Sequence, residues 1–360
     1  MSVETYPAET PPDQSPQLPA HQAGVVPGGQ GQDSAESGMG ALIKSACLFM
    51  TLDACAKTGL LDRLRAGEST TEVLFAGLDG TLGNAVMRYL ELQDVVMAEK
   101  GGTWRLTERG RLLTSEVSLA MLGMYGEAYG AVLSQSADLL TRRAAYGWDV
   151  WRDDAALGRH GATLFHRFHT QGLLNALAGA DTQCLLDIGC GAGQLLIDLC
   201  VQDPGMRGVG LDISPEAIAV AREQAVAAGV ADRVEFVVAD AFDPESWPAV
   251  CHEPDTLVAV ELIHELFREG EGRVVSLLDT VADLLRAGRK HFILGESQLC
   301  YDNRGDDSEY FLVCSLTGLG LPVREESWLD LIGRTQLQCL RTFTRSDARQ
   351  RLVFYDLVRR

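Results

Sequence analysis

The sequence predicts an α/β protein in which a doubly wound sheet of seven strands, over residues 181–360, follows a smaller and mainly α domain. Three observations carry this. After position 181, apolar runs of about five or six residues alternate with helical patterns, as buried parallel strands and their crossovers do. The first of these runs, Leu185-Leu186-Asp187-Ile188, leads straight into Gly189-Cys190-Gly191-Ala192-Gly193, with a glycine at every second position. Between residues 41 and 106, by contrast, helical periodicity ends in a short hairpin signal.

Taken in order, residues 1–38 hold six of the twelve prolines, many Gly, Gln and Ser, and no Lys or Arg, so they are expected to be a disordered tail. Residues 39–115 form the next domain. A long apolar helix is expected over Ala41–Leu64, stopped near Gly67, with shorter helices over Thr70–Phe75 and Gly83–Val96. Val95–Ala98 and Thr103–Leu106 flank Lys100-Gly101-Gly102, a hairpin pattern. Three helices and a hairpin make a winged helix. Its second helix carries one Arg against one Glu, which suits packing against protein better than reading a groove. Residues 116–180 are a helical connector rich in aromatics and histidines, including Tyr125, Tyr129, Tyr146, Trp148, Trp151, Phe165, His166, Phe168 and His169.

From residue 181 onward, strands are expected near 184–188, 207–212, 234–239, 255–260 and 291–295, then near 337–344 and 351–358. Gly272–Ala287 shows an apolar stripe at helical spacing, and right-handed crossovers fix the order of the parallel strands. The last two strands would form an antiparallel edge.

Three acidic residues end successive strands: Asp187 before the glycine loop, Asp212 after Gly208-Val209-Gly210-Leu211, and Asp240 after Val234–Ala239. They converge at the carboxyl edge of the sheet, where open α/β sheets bind ligands. A dinucleotide fingerprint would need glycine at position 194, which is Gln194, and Asp187 would face a pyrophosphate unfavourably. A cationic sulfonium suits Asp187 better. This set resembles the class I methyltransferases that use S-adenosylmethionine (SAM). The resemblance implies that Asp187, Gly189, Gly191 and Gly193 pass the methionine part, that Asp212 with Ile213 binds the ribose, and that Asp240, Ala241 and Phe242 frame the adenine. The N-terminal domain looks like that of small-molecule O-methyltransferases, which implies a homodimer and a connector that roofs the acceptor. Tyr129, Tyr146, Trp148, Phe165 and His169 are the expected acceptor-lining residues.

Methyl transfer from a sulfonium is a direct displacement, so positioning and a dry pocket matter most. A hydroxyl or carbon acceptor also needs a base, for which histidine is suited. His264-Glu265 stands where the O-methyltransferases carry a His-Asp pair, so the resemblance implies His264 as the base and Glu265 as the second catalytic residue, to orient His264 or act on the substrate, with a solvated side chain as the alternative. Glu261 and Glu296 end strands at the same edge and are expected beside the acceptor, with Glu296 either hydrogen-bonding it or holding His264. The segment also resembles α-keto acid C-methyltransferases, some of which hold a metal with this histidine and a second one. Tyr310–Leu321 offers no second histidine, and no metal is expected. His166 and His169 share a helix face and, with His264, are the alternative ligand set, while Arg152 and Arg167 are candidates to receive an acceptor carboxylate.

Composition excludes several classes. A net charge of −19 argues against nucleic acid as a partner. Neither a secretion signal nor an apolar run of roughly 18 residues stands out, so no membrane partner and a cytoplasmic location are expected. The nine cysteines lack a C-x-x-C pair and read as reduced thiols. The expected activity is SAM-dependent transfer to a small-molecule O or C nucleophile. The alternatives are S-methylation of a thioether, which needs no base, a SAM-bound isomerase or pericyclic enzyme, and a SAM-sensing regulator.

Overall fold

The computed structural model describes residues 33–67, 69–285, 291–298, 308–320, 325–344 and 352–360. Most of the expected tail, residues 1–32, lies outside the described residues. The chain divides into a unit of residues 1–47 and a unit of residues 48–360. One helix, Asp33–Lys57, crosses that division. Asp33–Gly38 of the expected tail are therefore helical. Its stretch Gly38–Lys57 is long and apolar enough, by length and composition, to cross a bilayer, a feature the sequence reading did not single out. Met39, Leu42, Ile43, Phe49 and Met50 are exposed on it.

The single helix expected over Ala41–Leu64 is in fact two. Gly59 turns left-handed at φ 72° between Lys57 and the helix Leu60–Arg65, which only glycine does without steric cost. The two lie on one core with Leu48, Leu52, Leu61, Leu64, Met87 and Leu90. A small antiparallel sheet follows, of β1 (Ser69–Thr70), β2 (Val96–Ala98) and β3 (Thr103–Leu106), in the order β1-β3-β2. The helix Gly80–Leu92 starts at Asp79, whose side chain accepts from Leu82 N at 2.8 Å as an N-cap.

The large sheet has seven strands: β4 (Cys184–Ile188), β5 (Arg207–Asp212), β6 (Val234–Val238), β7 (Thr256–Val260), β8 (His291–Ser297), β9 (Leu337–Phe343) and β10 (Leu352–Arg359). Their order is β6-β5-β4-β7-β8-β10-β9. The first five are parallel, and β10 runs antiparallel between β8 and β9. Neighbouring residues along a strand serve opposite faces. Leu186, Leu257, Phe292 and Val353 face one core, with the helices Glu271–Leu284 and Glu325–Gly333. Leu185, Val258, Ile293 and Phe354 face the other, with Thr170–Ala178, Gln194–Gln202 and Pro215–Ala227. Helices on both faces leave the carboxyl ends of β4, β5, β6, β7 and β8 as the ligand-binding edge.

Candidate active site

At that edge the chain leaves β4 through three left-handed glycines, Gly189 (φ 77°), Gly191 (φ 52°) and Gly193 (φ 76°). A Cβ on Gly193 would stand 2.5 Å from the Phe236 ring, so this position closes the helix Gln194–Gln202 onto β6. A Cβ on Gly191 would meet nothing within 4 Å, so the middle of the loop opens onto free space. Asp212 braces the loop. Its Oδ2 accepts from Gly191 N and its Oδ1 from Ser214 N, both at 2.9 Å. Asp187 is buried at the root of the loop; burial, with the Asp212 charge nearby, pushes its carboxyl up to about 7. A cation placed there would restore its charge. Asp240 is exposed and accepts from Phe242 N at 2.8 Å, Ala241 is buried, and the Ile213 side chain lies open beside Asp212.

The second part of the site is built where β7 ends. Glu261 N still pairs with Gly295 O at 2.8 Å, and then Glu261 itself turns left-handed at φ 51°. The chain drops into a 3-10 turn, Ile263–Glu269, whose leading N–H groups converge on one acid. Glu296 Oε1 accepts from Leu262 N at 3.2 Å, Ile263 N at 2.6 Å and His264 N at 3.3 Å. Its Oε2 lies 2.8 Å from His264 Nδ1. Both side chains are buried. Burial alone would lower the imidazole's basicity, but Glu296, Glu265 and Glu261 outweigh it and push His264 up to about 10. Glu265 Oε1 stands 3.5 Å from His264 Nε2. Burial opposes the Glu265 charge, yet His264, Arg152 and Arg268 hold this carboxyl well below the usual range.

Glu296→Ala would leave those N–H groups and the imidazole without their acceptor. Removing one member of a buried ion pair costs about 3–5 kcal/mol, so a marked fall in the midpoint of thermal unfolding is expected. A melting curve for Glu296→Ala that overlays the parent's would show that the acid is dispensable to the fold.

The connector contributes Tyr129, Tyr146 and a residue with another expected role. A π-helical turn, Met124–Ala128, ends with Tyr129 N bonded to Met124 O at 3.0 Å and leaves Tyr129 buried beside Arg152. Tyr146 lies under Arg268, whose guanidinium carbon is 5.1 Å from the ring centroid. Arg152 does not stand open as an acceptor clamp. Its Nη2 donates to Glu265 Oε1 at 2.8 Å and its Nε to Asp154 Oδ1 at 2.6 Å. Arg167 lies over the Phe168 ring.

Other expected residues are not brought here. Trp148 is 85% exposed. Phe165 and His169 are tilted against each other with centroids 6.0 Å apart, and Phe165 meets Phe354 edge-on at 6.4 Å, packed against the core on that face of the sheet. The shared helix face of His166 and His169 is broken, since the helix Asp154–Phe168 ends between them. His166 lies 4.0 Å from Asp198. The Tyr310 hydroxyl donates to Glu261 Oε2 at 3.3 Å, a contact that no sequence signal marks.

Among the described residues, the set able to take a metal ion is Glu261, His264 and Glu296, with ligand atoms within 4.8 Å of one another. Glu261 Oε1 is buried without a hydrogen-bond partner. Glu296, however, already spends both oxygens on the turn and on His264 Nδ1. An ion would have to displace that pair.

Comparison with known proteins agrees with this geometry. Residues 186–288 match a family model described as a methyltransferase domain. The chain is 36% identical over 102 residues to the release factor glutamine methyltransferase of Cereibacter sphaeroides, covering 28% of this chain and 37% of that protein. It is 26% identical over 210 residues to the methyltransferase ungE' of Aspergillus campestris, covering 56% of this chain and 60% of that protein. The chain thus spans about two fifths to three fifths of the length of these relatives. Solved structures align far more completely. Mitomycin 7-O-methyltransferase MmcR superposes with a TM-score of 0.68 at 18% identity, over 91% of this chain and 99% of that one. Human N-acetylserotonin methyltransferase in complex with SAM gives 0.67 at 17%, over the same shares. The fold is the one these solved methyltransferases share, and residues 186–288 match the methyltransferase domain model.

Proposed function

We propose that this chain, with a methyltransferase domain at residues 186–288, is an enzyme that moves the methyl group of SAM to an oxygen or carbon nucleophile of a small molecule. The observation that carries the reading is the buried His264–Glu296 pair, at 2.8 Å, on the same sheet edge as the glycine loop. The residues present suit SAM. Gly191 opens onto free space, Asp212 offers carboxylate oxygens beside it, and buried Asp187 favours a positive neighbour. When bound, SAM supplies an electrophilic methyl group on a cationic sulfur.

The chain's own residues do the rest. Asp212 accepts the ribose hydroxyls with Ile213 beside them, and Asp240, Ala241 and Phe242 frame the adenine. Glu296 orients His264 through Nδ1, so that Nε2 is the nitrogen able to take the acceptor's proton. Tyr129, Tyr146 and Glu261 border the acceptor, and the connector excludes water. A thioether acceptor or a non-methylating reaction would have no use for this buried pair. The test is incubation with methyl-labelled SAM and a panel of phenols and enolisable acids, following S-adenosylhomocysteine (SAH) release. Acceptor-dependent SAH is expected. Product formed without SAH would identify a non-methylating enzyme instead.

Assembly follows from the helix Asp33–Lys57. The exposed side chains of Met39, Leu42, Ile43, Phe49 and Met50 are more apolar surface than a free helix leaves in water, and the reading gives them to a second copy in a homodimer. Light scattering at micromolar concentration should report twice the chain mass, and Leu42→Glu with Met50→Glu should give the monomer. A parent that scatters as a monomer removes the dimer.

A further inference from the structure

We infer that Arg152 is a positioning residue for His264: by holding the Glu265 carboxylate, it keeps the imidazole nitrogen opposite Glu296 open to the acceptor. The inference rests on the reading of His264 as the base. One oxygen has two claimants. Glu265 Oε1 lies 2.8 Å from Arg152 Nη2 and 3.5 Å from His264 Nε2. The first is a charge-assisted hydrogen bond of full strength, and the second is beyond good hydrogen-bond length. As the side chains stand, the oxygen is held more closely by the arginine.

Arg268 does not duplicate this. It pairs with the other oxygen, Oε2, and spends its Nε on Thr317 O at 3.1 Å while lying over Tyr146. Arg152 is itself fixed by Asp154 at the start of the helix Asp154–Phe168, and Tyr129 and Tyr146 also lie within its electrostatic reach. The charged groups that face His264 are Glu261, Glu265 and Glu296. Glu296 is already committed to Nδ1. Without Arg152, a largely buried Oε1 would need another donor, and the protonated Nε2 is the one beside it. Both ring nitrogens would then be tied to carboxylates.

Open, Nε2 accepts the acceptor's proton, the electron pair left behind forms the new bond to the methyl carbon, and the carbon–sulfur bond of SAM breaks with its pair going to the sulfur of the departing SAH. Tied, it has no lone pair to offer. Arg152 lies in the connector, 113 residues from Glu265 in sequence. The seating of the connector is therefore coupled to the state of the base.

The test uses the full chain with SAH bound, labelled with 15N-histidine, and follows the His264 ring by NMR as pH is raised. Methyl-transfer rates are measured over the same range. Arg152→Gln should move the His264 titration up by about one pH unit, since losing a cation favours the protonated ring. It should lower turnover near neutrality about tenfold, with KM for SAM unchanged. Arg152→Lys should restore most of both. Adding Glu265→Gln to Arg152→Gln should cancel the shift, because the competing carboxylate charge is gone.

An Arg152→Gln protein whose His264 titrates where the parent's does overturns the inference, even if it is slower or less stable. Should that variant not fold, Arg152→Met gives the same comparison: a raised titration supports the inference and an unmoved one overturns it. A parent that transfers no methyl group defeats the functional reading, while the NMR titration still decides the role of Arg152.

Discussion

Replacing His264 with alanine is expected to slow methyl transfer by about 10²–10⁴-fold, the usual worth of a general base, while SAH binds as before. The pH dependence gives the sharper signature. Glu296, Glu265 and Glu261, against burial, push the imidazole up to about 10, so the neutral form is scarce near pH 7. The rate of the parent should therefore climb with pH through the alkaline range, and the climb should vanish in His264→Ala. Stability runs the other way. A raised histidine pKa stabilises the fold fully below about 6.5, and that contribution is lost as pH rises toward about 10. A parent whose rate is flat with pH, or a mutant with unchanged turnover, would remove His264 as base.

Asp212→Ala should weaken SAH binding by about 1.5–3 kcal/mol, the range for a hydrogen bond to a charged group, or roughly 10- to 150-fold. The loss has two parts. One is the carboxylate that the ribose hydroxyls would use. The other is the brace between Gly191 N and Ser214 N, both at 2.9 Å, which holds the loop in its left-handed course. Asp212→Asn keeps an acceptor but no charge, so it should fall between parent and alanine. Calorimetry that finds equal affinity in all three proteins would take Asp212 out of the site.

The parallel strands were legible in the sequence almost to the residue. Runs such as Leu185–Ile188 and Leu257–Val260 are buried almost throughout and stop at Gly189 and Glu261, which leaves little freedom in placing them. The helix break at Gly59 was missed because Leu60, Leu61 and Leu64 continue an apolar pattern across it. Asp187, Asp212 and Asp240 could be read because each stands beside its own strand end. His264 and Glu296 were legible for the same reason, as neighbours at the ends of β7 and β8. Arg152 was not. Its partner depends on how the connector packs, and no local pattern encodes a contact across 113 residues. The surroundings of Trp148, Phe165 and His169 were not legible for a related reason: aromatic spacing marks a helix that packs, without saying against what.

The insertion of β10 between β8 and β9 has a consequence for the order of assembly. The ribosome releases β8, which carries Glu296, well before residues 352–359 that complete its hydrogen bonding from Leu352↔Ser297 to Leu357↔Phe292. Through that interval β8 is an open edge of an apolar sheet, a surface prone to pairing with other chains. Glu296, which lies 2.8 Å from His264, thus sits on a strand whose second neighbour arrives late. A nascent chain can pair β4 with β5 early in synthesis, but the strand that carries Glu296 gains its second neighbour only when β10 slots in.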